Sequence, residues 1–302
     1  MSFKNKYIKY KTKYLNRKKQ TGGGILDPVC DLLQCNKNNC RSHYTEGEKD
    51  TVNYKIYSGS KSYTTSYFHG INIYQDNNPT YKDWVNMVIE IPQGTTAKME
   101  INKEKFLNPI MYDIKDSKVR HVKYQAKGSK FVGYPFHYGA LPQTWENKGH
   151  KDDRTGFYGD NDPIDAFDIS SIKTHSGDIH CVKVLGAFAM IDNNETDWKL
   201  VCININDPLA LQYDDINDVP KETLNIIDDF LTNYKTPDGK GQNKFANKKI
   251  WNKQESIEII QDMRKHWFDL VNDKERVIEH AIEEAKQDIT NISMNVEGIN
   301  VL

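Results

Sequence analysis

The sequence predicts an α+β fold, a small closed or nearly closed β-barrel flanked by helices. Three observations carry that expectation. Residues 51–205 break into short runs of β-branched and aromatic residues separated by turn pairs. After Pro208 the hydrophobic period lengthens to that of a helix. The longest apolar run, residues 184–191, is far below the roughly 20 residues that a membrane span needs.

In chain order, residues 1–24 read as a basic flexible tail that closes on Gly22-Gly23-Gly24, a hinge-like break. Phe3, Tyr7, Tyr10 and Tyr14 recur in steps of four and three with lysines between them, so aromatics and charge fall on opposite helical faces. Two readings stand side by side here: a helix that docks on an acidic surface or partner, and a solvated tail. Residues 25–50 form a Cys-containing extension. Cys30, Cys35 and Cys40 repeat every five residues with His43 just beyond, but the paired C-x2–4-C spacing of a zinc site is absent, and they read as free thiols.

Residues 51–302 form the main domain, with a core at about 84–246 and C-terminal helices at about 255–290. Strands are predicted over 53–57, 87–91, 98–101, 179–191 and 198–205, and the connections carry Asn-Pro, Asp-Asn and Gly-Asp pairs typical of turns. Residues 223–234 follow as a helix with Leu224, Ile227 and Leu231 on one face. Ile257, Ile260, Met263, Trp267 and Leu270 then recur at helical spacing, followed by Val277, Ala281, Ile282 and Ala285. Stripes of this kind are core.

Composition limits the function classes. With 37% hydrophobic and 11% aromatic residues, wholesale disorder is excluded. The net charge of −1 conceals an asymmetry, because residues 1–24 hold eight Lys or Arg and no acid. Removing those eight from 41 leaves 33 basic against 42 acidic residues, a body near −9. Such a body does not favour nucleic acid, whose binding is driven by phosphate neutralisation. Five cysteines and no apolar leader at Met1 point to a reducing, cytoplasmic location.

The chemistry concentrates in Gly159-Asp160-Asn161-Asp162-Pro163-Ile164-Asp165. Three carboxylates in six residues repel one another unless cations arrive, and hard divalent ions are their natural partners. An EF-hand loop does not fit, since Pro163 and Asp165 break the alternate-ligand pattern and position twelve is Ser171. A second polar cluster, Asp192-Asn193-Asn194-Glu195-Thr196-Asp197-Trp198-Lys199, surrounds a turn. Glu90, Lys98 and Glu100 lie on earlier strands, with Lys98 and Glu100 two apart on one face. Arg120, Tyr138, Tyr234 and Lys235 add cationic and phenolic donors. Metals bridging a polyphosphate account for carboxylates and cations together.

These residues sit in blocks that resemble the family I soluble inorganic pyrophosphatases, best of all their eukaryotic-type members. The run Asp160-Asn161-Asp162-Pro163-Ile164-Asp165-Ala166 matches the family signature. Glu90-Ile91-Pro92, Ala97-Lys98-Met99-Glu100-Ile101, Leu107-Asn108-Pro109-Ile110, the stretch from Tyr138 to Glu146, Glu195-Thr196-Asp197-Trp198-Lys199, Ile205-Asn206-Asp207-Pro208-Leu209-Ala210 and Tyr234-Lys235-Thr236-Pro237-Asp238-Gly239-Lys240 follow in family order. The Lys-Tyr leader also resembles those on proteins of giant DNA viruses, which would place the protein in a host cytoplasm.

The resemblance implies an OB-like barrel within residues 51–302 and hydrolysis of pyrophosphate to two phosphates by a metal-activated water, drawing nucleotide-polymerising reactions forward. It implies Mg²⁺ as cofactor, several ions per site, with Mn²⁺ or Zn²⁺ as substitutes, and a homodimer. Asp160, Asp165 and Asp197 match ligands of the tightest metal, with Asp165 shared by a second. Asp192 and Asp197 match ligands of a substrate-associated metal, and Glu100 that of a further one. Asp162 matches the carboxylate that takes the water's proton. Lys98, Arg120, Tyr234 and Lys235 match phosphate-binding groups, and Glu90, Tyr138 and Lys199 the supporting shell. As a phosphate clamp, Arg120 is expected to lie open to solvent. A noncatalytic barrel that binds nucleic acid or protein is the rival from another class, and a nucleoside triphosphatase lacks a P-loop in its favour.

Overall fold

The computed structural model describes residues 39–40, 43–74 and 83–273. The expectations for the tail, for Cys30 and Cys35 and for residues 277–285 lie outside them. Residues 29–268 fall in one compact unit, and the core and the site described below belong to it. The second unit, 1–28 with 269–302, is described only over 269–273.

Among the described residues the long strands are β5 (Trp84–Ile91), β13 (Ile179–Asp192), β14 (Glu195–Asn204) and β15 (Lys244–Asn252). Shorter strands are β1 (Asn39–Cys40), β2 (His43–Glu46), β3 (Lys55–Ser60), β4 (Tyr63–Thr65), β6 (Met99–Ile101) and β7 (Ile110–Tyr112). The remainder are β8 (Ile114–Lys115), β9 (Lys118–Val119), β10 (His137–Ala140), β11 (Tyr158–Gly159) and β12 (Asp165–Asp168). Two α-helices follow the long hairpin, α1 (Lys221–Asn233) and α2 (Lys253–Asn272).

β13 pairs with β5, β5 with β10, β10 with β12, β12 with β14, and β14 returns to β13. The sheet therefore closes on itself as a ring of five strands, in keeping with the OB-like barrel expected, and closure removes the edges that an open sheet must protect. All ring pairings are antiparallel except β12–β14, which is parallel. β1 and β15 extend the ring at β13, and β11 extends it at β14. A second sheet runs β2-β3-β7-β6 with β4 on β3, so residues 43–46 of the extension are strand-paired.

Residues on β14 alternate between two faces. Trp198, Leu200 and Cys202 join a buried cluster with Val85, Met87 and Ile89 of β5 and Ile259, Ile260 and Met263 of α2. Asp197 and Lys199 face the other way. This is how α2 is held, with Ile259 buried where the sequence stripe had placed Ile257, which is only partly covered. β10 and β12 were not expected from the sequence. Each is four residues long and rich in His, Gly or Asp, so pairing within the ring overrides weak strand propensity. β10 depends on Gly139, because a Cβ there would stand 1.9 Å from the Val88 carbonyl oxygen. At the far end of β12, buried Asp168 binds His180 at 2.8 Å and accepts from the Ser170 and Asn204 amides, which ties β12, β13 and β14 together.

Candidate active site

The acidic loop is shaped by hydrogen bonds to residues 141–146, which follow β10. Leu141 N–H donates to Ile164 O at 2.8 Å, and Ile164 N–H to Thr144 Oγ1 at 3.0 Å. Glu146 N–H donates to Asp162 O and Asn161 N–H to Glu146 O, at 2.8 and 2.9 Å. Asn161 takes φ +77°, a conformation that asparagine tolerates, and its Oδ1 accepts from Trp145 Nε1. Clamped along residues 141–146, the loop holds Asp160, Asp162 and Asp165 in fixed positions, and Asp162 N–H closes on Asp160 Oδ1 at 2.9 Å.

The second acidic group comes from the β13–β14 hairpin. Asn193 and Asn194 both have positive φ, the requirement of a two-residue type I′ turn, and Asp192 faces Glu195 across it. Asp197 and Lys199 then project from β14, with Lys199 opposite Asp165 in the parallel β12–β14 register. Lys199 Nζ bonds both Asp165 Oδ2 and Asp197 Oδ1. Tyr138 of β10 donates its hydroxyl to the same Asp165 oxygen at 2.5 Å. Burial pushes the Tyr138 phenol up, so it keeps the proton that it donates to Asp165; burial opposes the Lys199 charge, but Asp165 and Asp197 more than restore it.

One oxygen each from Glu146, Asp160 and Asp197 lie within 4.8 Å of one another. Burial raises all three carboxyls, Glu146 and Asp160 well above the ordinary range and Asp197 to about 6; Asp160 and Asp197 add to it for Glu146, Asp197 and Asp162 for Asp160, and Asp165 and Asp192 for Asp197, against the pull of Lys199. Glu146 Oε1 accepts from the Trp198 amide at 3.0 Å, while Oε2 is buried with no hydrogen-bond partner. Glu90 Oε1 accepts from Ile101 N–H at 2.6 Å, which fixes β6 and so Glu100. Burial, then Asp165, raise the Glu90 carboxyl well above its usual value.

A cationic border completes the arrangement. Lys98 pairs with Glu100 at 2.6 Å and with Asp113 at 3.2 Å, and Arg120 Nη1 donates to Asp113 at 2.9 Å. Helix α1 ends at Asn233 ahead of Pro237, with Phe230 packed between Tyr134 and Phe167, and so delivers Tyr234 and Lys235. Lys235 Nζ bonds Asp192. Tyr234 lies within the fields of Lys199, Asp197 and Asp192, and Arg120 within that of Tyr234.

All thirteen residues singled out from the sequence thus join one connected network: Glu90, Lys98, Glu100, Arg120, Tyr138, Asp160, Asp162, Asp165, Asp192, Asp197, Lys199, Tyr234 and Lys235. Arg120 differs from expectation in one respect. Its side chain is 15% exposed and held by Asp113 rather than open to solvent, and its buried Nε makes no hydrogen bond but faces the Asp238 carboxylate at 3.9 Å. Sequence reasoning passed over Glu146, Asp113 and Lys103. Lys103 Nζ pairs with Asp162 and donates to Asn161 O at 2.8 Å. Glu146 stands fourteen positions before Asp160, too far for charge clustering to reveal it.

Known proteins resemble this chain in sequence and in fold. A family model described as inorganic pyrophosphatase matches residues 87–268. The chain is 43% identical over 232 residues to the inorganic pyrophosphatase of Dictyostelium discoideum, covering 76% of this chain and 79% of that one. Its fold is similar to the inorganic pyrophosphatase of Schistosoma japonicum, with a TM-score of 0.71 and 40% identity over 76% of this chain and 80% of that chain. It is also similar to an N-terminally truncated vacuolar soluble pyrophosphatase of Trypanosoma cruzi solved in complex with PPi, with a TM-score of 0.68 and 33% identity over 76% and 90% of the two chains. With its ring of five strands, its acidic loop and the acids of its long hairpin, the chain belongs to the inorganic pyrophosphatase family, enzymes that hydrolyse pyrophosphate to phosphate.

Proposed function

We propose that this chain hydrolyses pyrophosphate with Mg²⁺ as its metal, Mn²⁺ or Zn²⁺ serving as substitutes, and that the thirteen networked residues carry the reaction. One observation supports this most directly. Asp165 of the acidic loop and buried Asp197 of β14 converge on Lys199, and Glu146, grouped with Asp160 and Asp197, keeps a buried oxygen without a hydrogen-bond partner. An all-oxygen donor set with an orphaned acceptor fits a hard divalent cation.

In this reading Asp160, Asp165 and Asp197 hold the tightest ion, Asp165 reaches a second, and Asp192, Asp197 and Glu100 hold those that accompany substrate. A divalent ion bound there lowers the pKa of water from about 15.7 to roughly 7. Asp162, its side chain 46% exposed, orients the attacking water and accepts its proton. Lys98, Arg120, Tyr234 and Lys235 bind phosphate oxygens, Arg120 from between Asp113, which accepts from its Nη1, and Asp238, 3.9 Å from its Nε. Tyr138 and Lys199 fix the orientation of Asp165, and Glu90 secures β6 beneath Lys98 and Glu100.

Phosphate release from pyrophosphate tests the reading. Release that requires Mg²⁺ and disappears in EDTA is expected, whereas a noncatalytic barrel would release none. The likeness to eukaryotic-type members supports a cytoplasmic homodimer whose removal of pyrophosphate draws nucleotide-polymerising reactions forward. Light scattering on the purified chain checks the dimer, and a monomeric mass would refute it.

A further inference from the structure

Glu146 has no place in the ligand set implied by family resemblance, yet it is the most deeply buried acid beside Asp160 and Asp197, at 1% exposure against 5% for Asp197. Its main chain brackets the acidic loop, donating to Asp162 O and accepting from Asn161 N–H. Its Oε1 accepts from Trp198 N–H, one residue beyond Asp197. Glu146 therefore ties together the two segments that bear the acids. Its Oε2 remains buried without a partner. Lys199 is committed to Asp165 and Asp197. Glu146 thus combines an orphaned carboxyl oxygen with a place in a group of three acids, one oxygen of each within 4.8 Å of the others, and a divalent cation would satisfy that arrangement.

We propose that Glu146 is part of the metal centre, its Oε2 entering the coordination sphere of the divalent ion held by Asp160 and Asp197, directly or through a water on that ion. The inference rests on the metal-dependent reading above and adds a residue to it. Divalent Mg²⁺ retains several waters when carboxylates bind it, so an acceptor fixed by the backbone at this depth would orient that hydration as well as add charge.

Calorimetric titration of the full chain with Mg²⁺, without pyrophosphate, tests this. Glu146→Gln preserves size and an oxygen for the Trp198 amide but removes the charge. The tightest Mg²⁺ Kd is expected to rise at least ~10-fold, with Glu146→Asp falling between it and wild type. Glu146→Gln binding Mg²⁺ within about twofold of wild type would overturn the inference. Because a buried substitution can fail on folding, wild-type crystals soaked in Mn²⁺ supply a second reading. Anomalous density with Oε2 bonded to the ion or to a water on it supports the assignment. An ion held by Asp160 and Asp197 with Oε2 touching neither overturns it. Wild type that binds no Mg²⁺ at all would instead overturn the metal-dependent reading, and this inference with it.

Discussion

Replacing Asp197 with asparagine should stabilise the metal-free protein. Asp197 is buried, and burial raises its carboxyl; Lys199 pulls it back and Asp165 pushes it up again, leaving it at about 6 against an ordinary 3.8. A rise of roughly two units at ~1.4 kcal/mol each is about 3 kcal/mol of native-state penalty at pH 7. The direction of the pH dependence follows. Between the unfolded value of 3.8 and the folded value of about 6 the native chain binds more protons than the unfolded one. Metal-free wild type therefore loses this stability as pH rises through that window. Asparagine does not titrate there and still offers Lys199 an oxygen. In EDTA at pH 7, Asp197→Asn should be more stable by up to about 3 kcal/mol, on the order of 5 °C in Tm for a chain of this size. At pH 4 the gap should close. The same variant should lose Mg²⁺-dependent hydrolysis. Thermal melts in EDTA from pH 4 to 8 read the effect, and a variant that melts with or below wild type at pH 7 would refute the electrostatic argument.

Asp162→Asn keeps the shape of the loop but removes the base, so kcat should fall by at least ~100-fold, with Mg²⁺ binding harmed less than in Asp165→Ala; steady-state rates and calorimetry check both. Ca²⁺ is larger and tolerates irregular coordination, so it should support hydrolysis poorly or inhibit it, and comparable turnover with Ca²⁺ as sole metal would count against the metal-activated water. Arg120→Lys keeps charge beside Asp113 but loses the planar fork, so kcat/KM should fall while the melt is unchanged; a variant that unfolds yet keeps its activity per folded molecule makes Arg120 structural. Gly139→Ala should cost about 3 kcal/mol by urea unfolding, the upper end for overpacking, because its Cβ meets the Val88 carbonyl rather than a movable side chain.

Much of this architecture was legible in the sequence where residue type and period agree. β13 and β14 are long and β-branched, and their observed bounds, Ile179–Asp192 and Glu195–Asn204, lie close to the predicted ones. The helix ending at Asn233 was similarly plain from Ile227 and Leu231. β10 and β12 were not, because His137, Gly139, Asp165 and Asp168 carry no strand signal of their own and are ordered by partners distant in sequence. The site was read through its charges. Asp160, Asp162 and Asp165 stand out by proximity, whereas Glu146 reaches them only through the fold. Arg120 was visible as a donor, but Asp113, which holds it, gave no cue to that pairing.

The parallel seam between β12 and β14 bears on how the protein is made. β12 precedes β14 in the chain, and the whole of β13 must be laid down before the two can meet. Pairings between segments so distant in sequence carry a loop-closure cost and form slowly. Until they do, Asp165 lacks the lysine opposite it, and the acids of the loop repel one another without that counterion. Ring closure and assembly of the charged centre are thus one event. A chain emerging from the ribosome short of Asp197 has the loop's acids, and Lys103 for Asp162, but neither Asp197 nor the lysine that stands opposite Asp165.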